Sequence, residues 1–194
     1  MSELDKIYYQ IKISSTHPVR DRAIFETSFA SGIRSSELAH LDVGDIDFEG
    51  RMLTVRQGKG NKDRRVPIAA RACYWIERYL IEVRPKLAHP SSGETPFLSK
   101  EGTWMRRYQL GHVVKKYMQK VGIHRHGACN LLRHATATLM HENGADIRHI
   151  QSMLGHSDIS TTQVYTHVSP NKLKEVYFKT HPYAQDKTGE QRHE

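Results

Sequence analysis

Cysteine is almost absent from this chain of 194 residues: Cys73 and Cys129 are the only two. Two thiols cannot build a disulfide framework, and so low a count fits a reducing cytosol. No apolar run approaches the ~20 residues that a bilayer-spanning helix needs. The first residues, MSELDKIYYQIK, mix charges around no continuous apolar core and do not read as a signal peptide. Internal repeats and low-complexity tracts are also missing. Metal-ligand spacing is missing too: His124, His126, Cys129 and His134 crowd together without the paired spacing of a zinc module. QGKGNK (57–62) has glycines and lysines but is not GxxxxGK[ST], and it leads into a strand where a nucleotide-binding loop leads into a helix. The expectation is a protein that needs neither cofactor nor metal.

What the chain has is positive charge. Lys and Arg number 29 against 21 Asp and Glu, a formal +8, with 13 histidines besides. Such a surplus points to a polyanionic partner, nucleic acid before anionic membrane, because no lysine-rich amphipathic helix is present. A soluble protein that merely happens to be basic has the same balance, so charge alone does not decide.

Periodicity predicts a mainly α domain with a small antiparallel β-hairpin or sheet, an α+β class. Helices are expected over Leu4–Ile13, from Pro18 to a stop at Gly32, and from a Ser35 or Ser36 cap through Leu41, with Asp42–Asp47 as a loop. RMLTVR (51–56) and DRRVPI (63–68) read as two strands joined by the QGKGNK turn. Ala69–Leu87 carries helical spacing and is expected to end near Pro85. HPSSGETP is a surface loop, PFLS a possible short strand, and Arg107–Val121 an amphipathic helix. Leu131–Glu142 follows with Asn130 as its cap. Asp146 then caps Ile147–Leu154, placing Ile147, Ile150, Met153 and Leu154 on one face, and Gly155 stops it. Ser157 or Asp158 caps a further turn, Pro170 opens a last helix, and the tail AQDKTGEQRHE reads as disordered.

The most informative stretch is NLLRHATATLMHENGADIRHIQSMLGHSDISTTQVY, Asn130 to Tyr165. Arg133, the His156 that ends a Leu-Gly-His triplet, and Tyr165 look like half of a site that holds a phosphate and attacks it with a phenol. Asp146–His167 also has the outline of a helix-turn-helix, a rival reading. Elsewhere Arg34 follows a glycine at a helix boundary, and Lys59 lies in the hairpin turn or at the end of its first strand. Each cation alone is more often an ordinary ion-pair partner; the joint pattern carries the weight.

ASGIRSSEL, VRQGKGNKDRRVPI, LLRHATATLM and GADIRHIQSMLGHSDISTTQVYTHV together resemble the catalytic domain of the tyrosine recombinases, the phage-integrase family, with Xer-type recombinases and mobile-element integrases the most similar. The resemblance runs from Val19 to Tyr183. It implies a catalytic domain over 1–183, a polar tail over 184–194, and a cytoplasmic, nucleoid-associated enzyme of DNA recombination and integration. It also implies a tetramer on double-stranded DNA, with the helix from Pro170 docking neighbouring protomers. Residue by residue, Arg34 and Arg133 would grip the scissile phosphate, Lys59 would protonate the departing 5′ oxygen, His156 would be the Leu-Gly-His histidine, and Tyr165 the nucleophile. Glu37 would support Arg34. Two departures stand out. Asn130 occupies the position that is usually histidine in the His-x-x-Arg box, and asparagine cannot exchange a proton near neutral pH. The DNA-clamping domain that usually precedes the catalytic one is not in this sequence, so either a fragment or a minimal form is expected, binding DNA weakly and with strong salt dependence. Two alternatives accompany the recombinase reading: a catalytically weakened DNA-binding paralogue, and a topoisomerase that nicks and reseals with the same phosphotyrosine chemistry.

Overall fold

Pro18 has no backbone N–H to leave unpaired, which suits it to the first turn of a helix. The helix it opens is the one the others surround. The computed structural model describes residues 2–56, 63–124, 127–155 and 170–185. The chain begins with α1 (Glu3–Ser14), capped reciprocally by Ser2 and Asp5, and α2 (Pro18–Ser31), which ends on Gly32 at φ 60°. Every residue from Arg20 to Ser31 is buried, because α2 packs against α1 and three later helices, α4 (Ala70–Arg78), α6 (Arg107–Lys120) and α7 (Ala128–Glu142).

A helix buried on every side must satisfy its polar residues internally. Glu26, fully buried, accepts from Arg22 at 2.7 Å and from Arg71 of α4 at 2.9 Å, and the Arg22 guanidinium lies 3.2 Å from the Tyr8 ring centre. Asp21 pairs with Arg20 at 3.0 Å and accepts hydroxyl bonds from Ser15 and from Tyr117 of α6. Charge thus ties α1, α4 and α6 to the central helix alongside apolar contact.

After α2 come α3 (Ser35–Ala39) and a three-stranded antiparallel sheet, β1 (Ile46–Asp47), β2 (Met52–Val55) and β3 (Arg64–Pro67), in that spatial order. Leu53 pairs with Ile46 on one side and Val66 on the other. The expected hairpin is therefore present, widened by β1, while its turn lies outside the described residues. Beyond α4 a π-helical turn (Tyr79–Val83) leads into α5 (Arg84–Leu87). The loop that follows carries a single bridge between Leu98 and Trp104, and α6 and α7 come next. Then α8 (Ile147–Leu154) is capped by the Asp146 side chain and stopped by Gly155 at φ 68°. The last described helices are α9 (Pro170–Thr180) and α10 (Pro182–Gln185).

Several expectations are corrected. The cap of α3 is Arg34, neither serine, because the Glu37 carboxylate takes the Arg34 amide; the helix ends at Ala39, short of Leu41. Asp42–Asp47 is not a free loop: the Asp45 amide donates to the Asp42 carbonyl, closing a 3₁₀ turn that the Asp45 carboxylate caps by accepting the Asp42 amide, and buried Ile46 then joins the sheet. The helical path runs on through Pro85 to Leu87, since the wide π turn relaxes the register ahead of a residue with no donor to give. PFLS supplies one bridge and no strand. Gly127, at φ 75°, is the cap of α7, so Asn130 lies inside its first turn. Ile147 is exposed while Ile150, Met153 and Leu154 are buried, because the first turn of α8 projects beyond the core. Ala184 and Gln185 belong to α10, and Ala184 packs on the core, so the start of the supposed tail is ordered. The turn expected after Ser157 and the rest of the tail lie outside the described residues.

His181 closes this end of the core. It is fully buried, stacks on Tyr177 at 4.5 Å and meets Phe29 edge-on at 5.6 Å. Burial pushes its imidazole down from 6.5 to about 4, against a smaller opposing pull from the Phe29 carbonyl. The unfolded chain therefore takes up a proton that the folded one refuses as pH falls below 6.5. Stability is unaffected by this group above that pH and should decline through the window between the two values, by up to about 3 kcal/mol near pH 4. Urea unfolding at stepped pH should show a shallower acid decline for His181→Gln than for the parent chain.

Candidate active site

The site is built where α2 ends. Gly32 holds a left-handed φ of 60°, and a Cβ there would come within 2.8 Å of the Leu154 side chain. The absence of a side chain lets the end of α8 close over the end of α2. Thr136 of α7 supports the same junction, donating from its hydroxyl to the Phe29 carbonyl at 2.6 Å.

Into this junction α7 sends Arg133, 5% exposed. It donates to the Gly32 carbonyl at 2.8 Å and to the Leu154 carbonyl. Among the described residues, those two bonds leave the Nε–H and the second N–H on each terminal nitrogen uncommitted. Burial pushes the guanidinium down to about 10; Arg34 and Arg64 push the same way and Glu37 opposes them. The group is charged at neutral pH regardless.

Those charges are organised by Glu37. Its Oε2 accepts the Arg34 amide at 2.8 Å and Arg64 Nη2 at 2.9 Å, and its Oε1 accepts Arg34 Nη1 at 3.1 Å and Arg64 Nη1 at 2.9 Å. Arg64 thus grips the carboxylate with both prongs of its fork, while Arg34 uses one. Burial pushes the Glu37 carboxyl up, but the Arg64 and Arg34 bonds and charges outweigh it and hold the group below its ordinary range. Arg64 also donates from Nε to the Met153 carbonyl at 3.2 Å. Its guanidinium lies so near Gly155 that a Cβ there would be 3.0 Å from Cζ.

Of the residues singled out in the sequence, the fold pairs Arg34 with Glu37 and anchors Arg133 on the Gly32 carbonyl, two residues before Arg34. Asn130 is exposed and precedes Arg133 by three positions on α7, so the two share a helix side. Lys59, His156 and Tyr165 lie outside the described residues. Arg64 is the residue that sequence reasoning missed. The signal was there: strand alternation puts Arg64 on the same face as buried Val66, and an arginine on a core-facing position calls for a carboxylate.

Among the described residues, two guanidiniums on one carboxylate, with Arg133 anchored two residues before Arg34 on the Gly32 carbonyl, leave an excess of positive charge. It can hold an anion, and the donors that Arg34 and Arg133 keep spare suit phosphate oxygens. Among the described residues no group of three or more His, Cys, Asp or Glu could hold a metal ion, and no described helix is long and apolar enough to cross a membrane.

The mostly helical fold with its small sheet is that of the tyrosine recombinases. It matches the crystal structure of XerA recombinase with a TM-score of 0.70 at 30% identity, over 92% of this chain and 64% of that one. It also matches XerH site-specific recombinase bound to difH substrate in a pre-cleavage complex, with a TM-score of 0.67 at 28% identity, over 89% of this chain and 50% of that one. The chain belongs to the phage integrase family, whose model matches residues 1–172. Tyrosine recombinase XerC 2 of Ralstonia nicotianae (strain ATCC BAA-1114 / GMI1000) is 41% identical over 182 residues, covering 94% of this chain and 52% of that protein. Against three such curated relatives the chain spans 52%, 61% and 53% of their length.

Removing the carboxylate should expose the repulsion it suppresses. Glu37→Ala leaves three neighbouring guanidiniums without their counter-ion and should cost about 3 kcal/mol in urea unfolding at neutral pH. Because the folded carboxyl is held below its ordinary 4.5, its contribution is complete above that pH and is lost as pH falls through the lowered value. Sulfate should restore more of the Glu37→Ala deficit than chloride at equal ionic strength, since a tetrahedral dianion can occupy the vacated charge site.

Proposed function

We propose that this chain carries the strand-cutting and rejoining chemistry of a site-specific DNA recombinase or integrase. The observation that supports it most is the Arg34–Glu37–Arg133 neighbourhood, which matches in kind the anion grip that such chemistry requires. A phosphodiester repels nucleophiles, and two guanidinium forks neutralise it with fixed geometry. Tyr165 is the proposed nucleophile. A phenol with pKa near ~10 is mostly protonated at neutral pH, and nearby cations favour its phenolate. As the phenol releases its proton to water, its oxygen forms a bond to phosphorus and the bond to the 5′ oxygen breaks; Lys59 delivers a proton to the departing oxygen, and His156 donates to the phosphate. The 3′-phosphotyrosine conserves the energy of the broken linkage, so a 5′ hydroxyl on a second strand can attack it and reseal the backbone without ATP. Double-stranded DNA is the partner. A tetramer formed on DNA, with contacts through the helix from Pro170, follows from the same reading, as does residence with the nucleoid.

A second reading is favoured by one observation. Asn130 stands at the position where the family resemblance expects histidine, so a chain that binds DNA but cleaves it slowly also fits. If proton transfer runs through that position, the loss is about 10²- to 10⁴-fold; if the side chain mainly donates to phosphate, asparagine replaces it with a smaller loss.

Nicked duplexes with a randomised core separate these readings. A denaturing gel should show a covalent protein–DNA band that vanishes in Tyr165→Phe. No band from the parent chain, even at long times, would leave only the binding role. On a duplex recovered from that selection, Asn130→His should raise the cleavage rate; an unchanged rate would show that proton transfer does not use this position. Supercoil relaxation on DNA lacking the selected sequence would point to a topoisomerase instead.

A further inference from the structure

Arg64 has no part in the roles proposed so far, yet it makes the most extensive contacts at the site. It is half-buried, it takes both oxygens of Glu37 at 2.9 Å each, and it reaches the Met153 carbonyl at 3.2 Å. We propose that Arg64 is a positioning residue for the phosphate grip: by binding the Glu37 carboxylate with both prongs it keeps Arg34 available to the substrate. The proposal rests on the reading of Arg34 as a phosphate ligand.

The argument is one of competition. Glu37 has two oxygens and two arginine suitors. Arg64 meets it in the fork-to-fork geometry that is strongest for this pair, and Arg34 is left with a single side-chain bond at 3.1 Å plus its amide. Were Arg64 absent, no other contact of Glu37 among the described residues would oppose a two-pronged Arg34–Glu37 pair. The guanidinium would then turn toward the carboxylate, and the charge offered to the phosphate would fall by one unit. The same side chain acts at a second point. Its bond to Met153 and its fit against Gly155 fix the end of α8, the residues that lead directly to His156 in the sequence. The left-handed φ of 68° at Gly155, with no Cβ, is what admits the guanidinium so closely. Arg64 therefore joins α3, β3 and the end of α8 through one planar group.

The competition makes a prediction that simple loss of structure does not. On the nicked duplex recovered above, followed in single turnover at saturating protein, Arg64→Gln should slow formation of the covalent adduct about 10- to 100-fold, the scale of a misplaced catalytic group. Its affinity for the same duplex should change little. Adding Glu37→Gln to Arg64→Gln should recover most of the lost rate, because the competitor for Arg34 is gone. Arg64→Lys keeps the charge without the fork and should fall between the parent and Arg64→Gln, which provides the test if the glutamine variant unfolds. Thermal melting of each variant accompanies the rates. A double variant as slow as Arg64→Gln, or slower, would overturn the proposal, as would an Arg64→Gln chain that cleaves at the parent rate. Failure of the underlying reading looks different: the parent chain itself would form no Tyr165-dependent adduct.

Discussion

One carboxylate, Glu37, holds together a site that would otherwise push itself apart. Arg34 and Arg64 touch it directly, and Arg133 is held on the Gly32 carbonyl, two residues before Arg34. Like charges this close are tolerated only when a counter-ion or a ligand is present. Among the described residues, one carboxylate serves three guanidiniums, so the site is still short of negative charge. That deficit is what a phosphodiester would fill. The arrangement links folding to function: the carboxylate that relieves the repulsion among the arginines is occupied mainly by Arg64, which leaves Arg34 donors spare.

The rest of the fold serves this deficit. The central helix α2 is buried on all sides and delivers Gly32 at a fixed place. Because Gly32 has no side chain, Leu154 can pack over it, and Arg133 finds two carbonyls, from the ends of two helices, within reach. Carbonyls at helix C-termini lack helical partners and carry partial negative charge, so they steady a buried cation without neutralising it. The sheet contributes Arg64 from the first residue of β3. Three distant parts of the sequence thereby meet around one acidic side chain.

Much of this was legible in the sequence. Helix ends marked by Pro18, Gly32, Asp146 and Gly155 are local chemistry, and they lie where that chemistry puts them. The pairing of 52–55 with 64–67 followed from strand alternation around a glycine-rich turn. Arg34, Glu37 and Arg133 could be named because their motifs resemble those of a known family. What sequence reading missed depends on long-range contact. Arg64 looked like one basic residue among several, since its partner lies 27 positions away. Asn130 looked like a cap because the helix start was read three residues late; the positive φ of Gly127, which sets the true start, is a backbone property that composition only hints at. The path through Pro85 depends on a π turn, whose signature in sequence is weak.

The central claim is that Arg34 and Arg133 keep spare donors facing a common anion site while Arg64 is spent on Glu37. Arginine side-chain NMR during titration with inorganic sulfate tests it most directly. The account predicts saturable shifts of the Arg34 and Arg133 Nε–H signals, with Arg64 barely moving. Uniform, non-saturating drift of all the arginine signals, or a shift confined to Arg64, would contradict it.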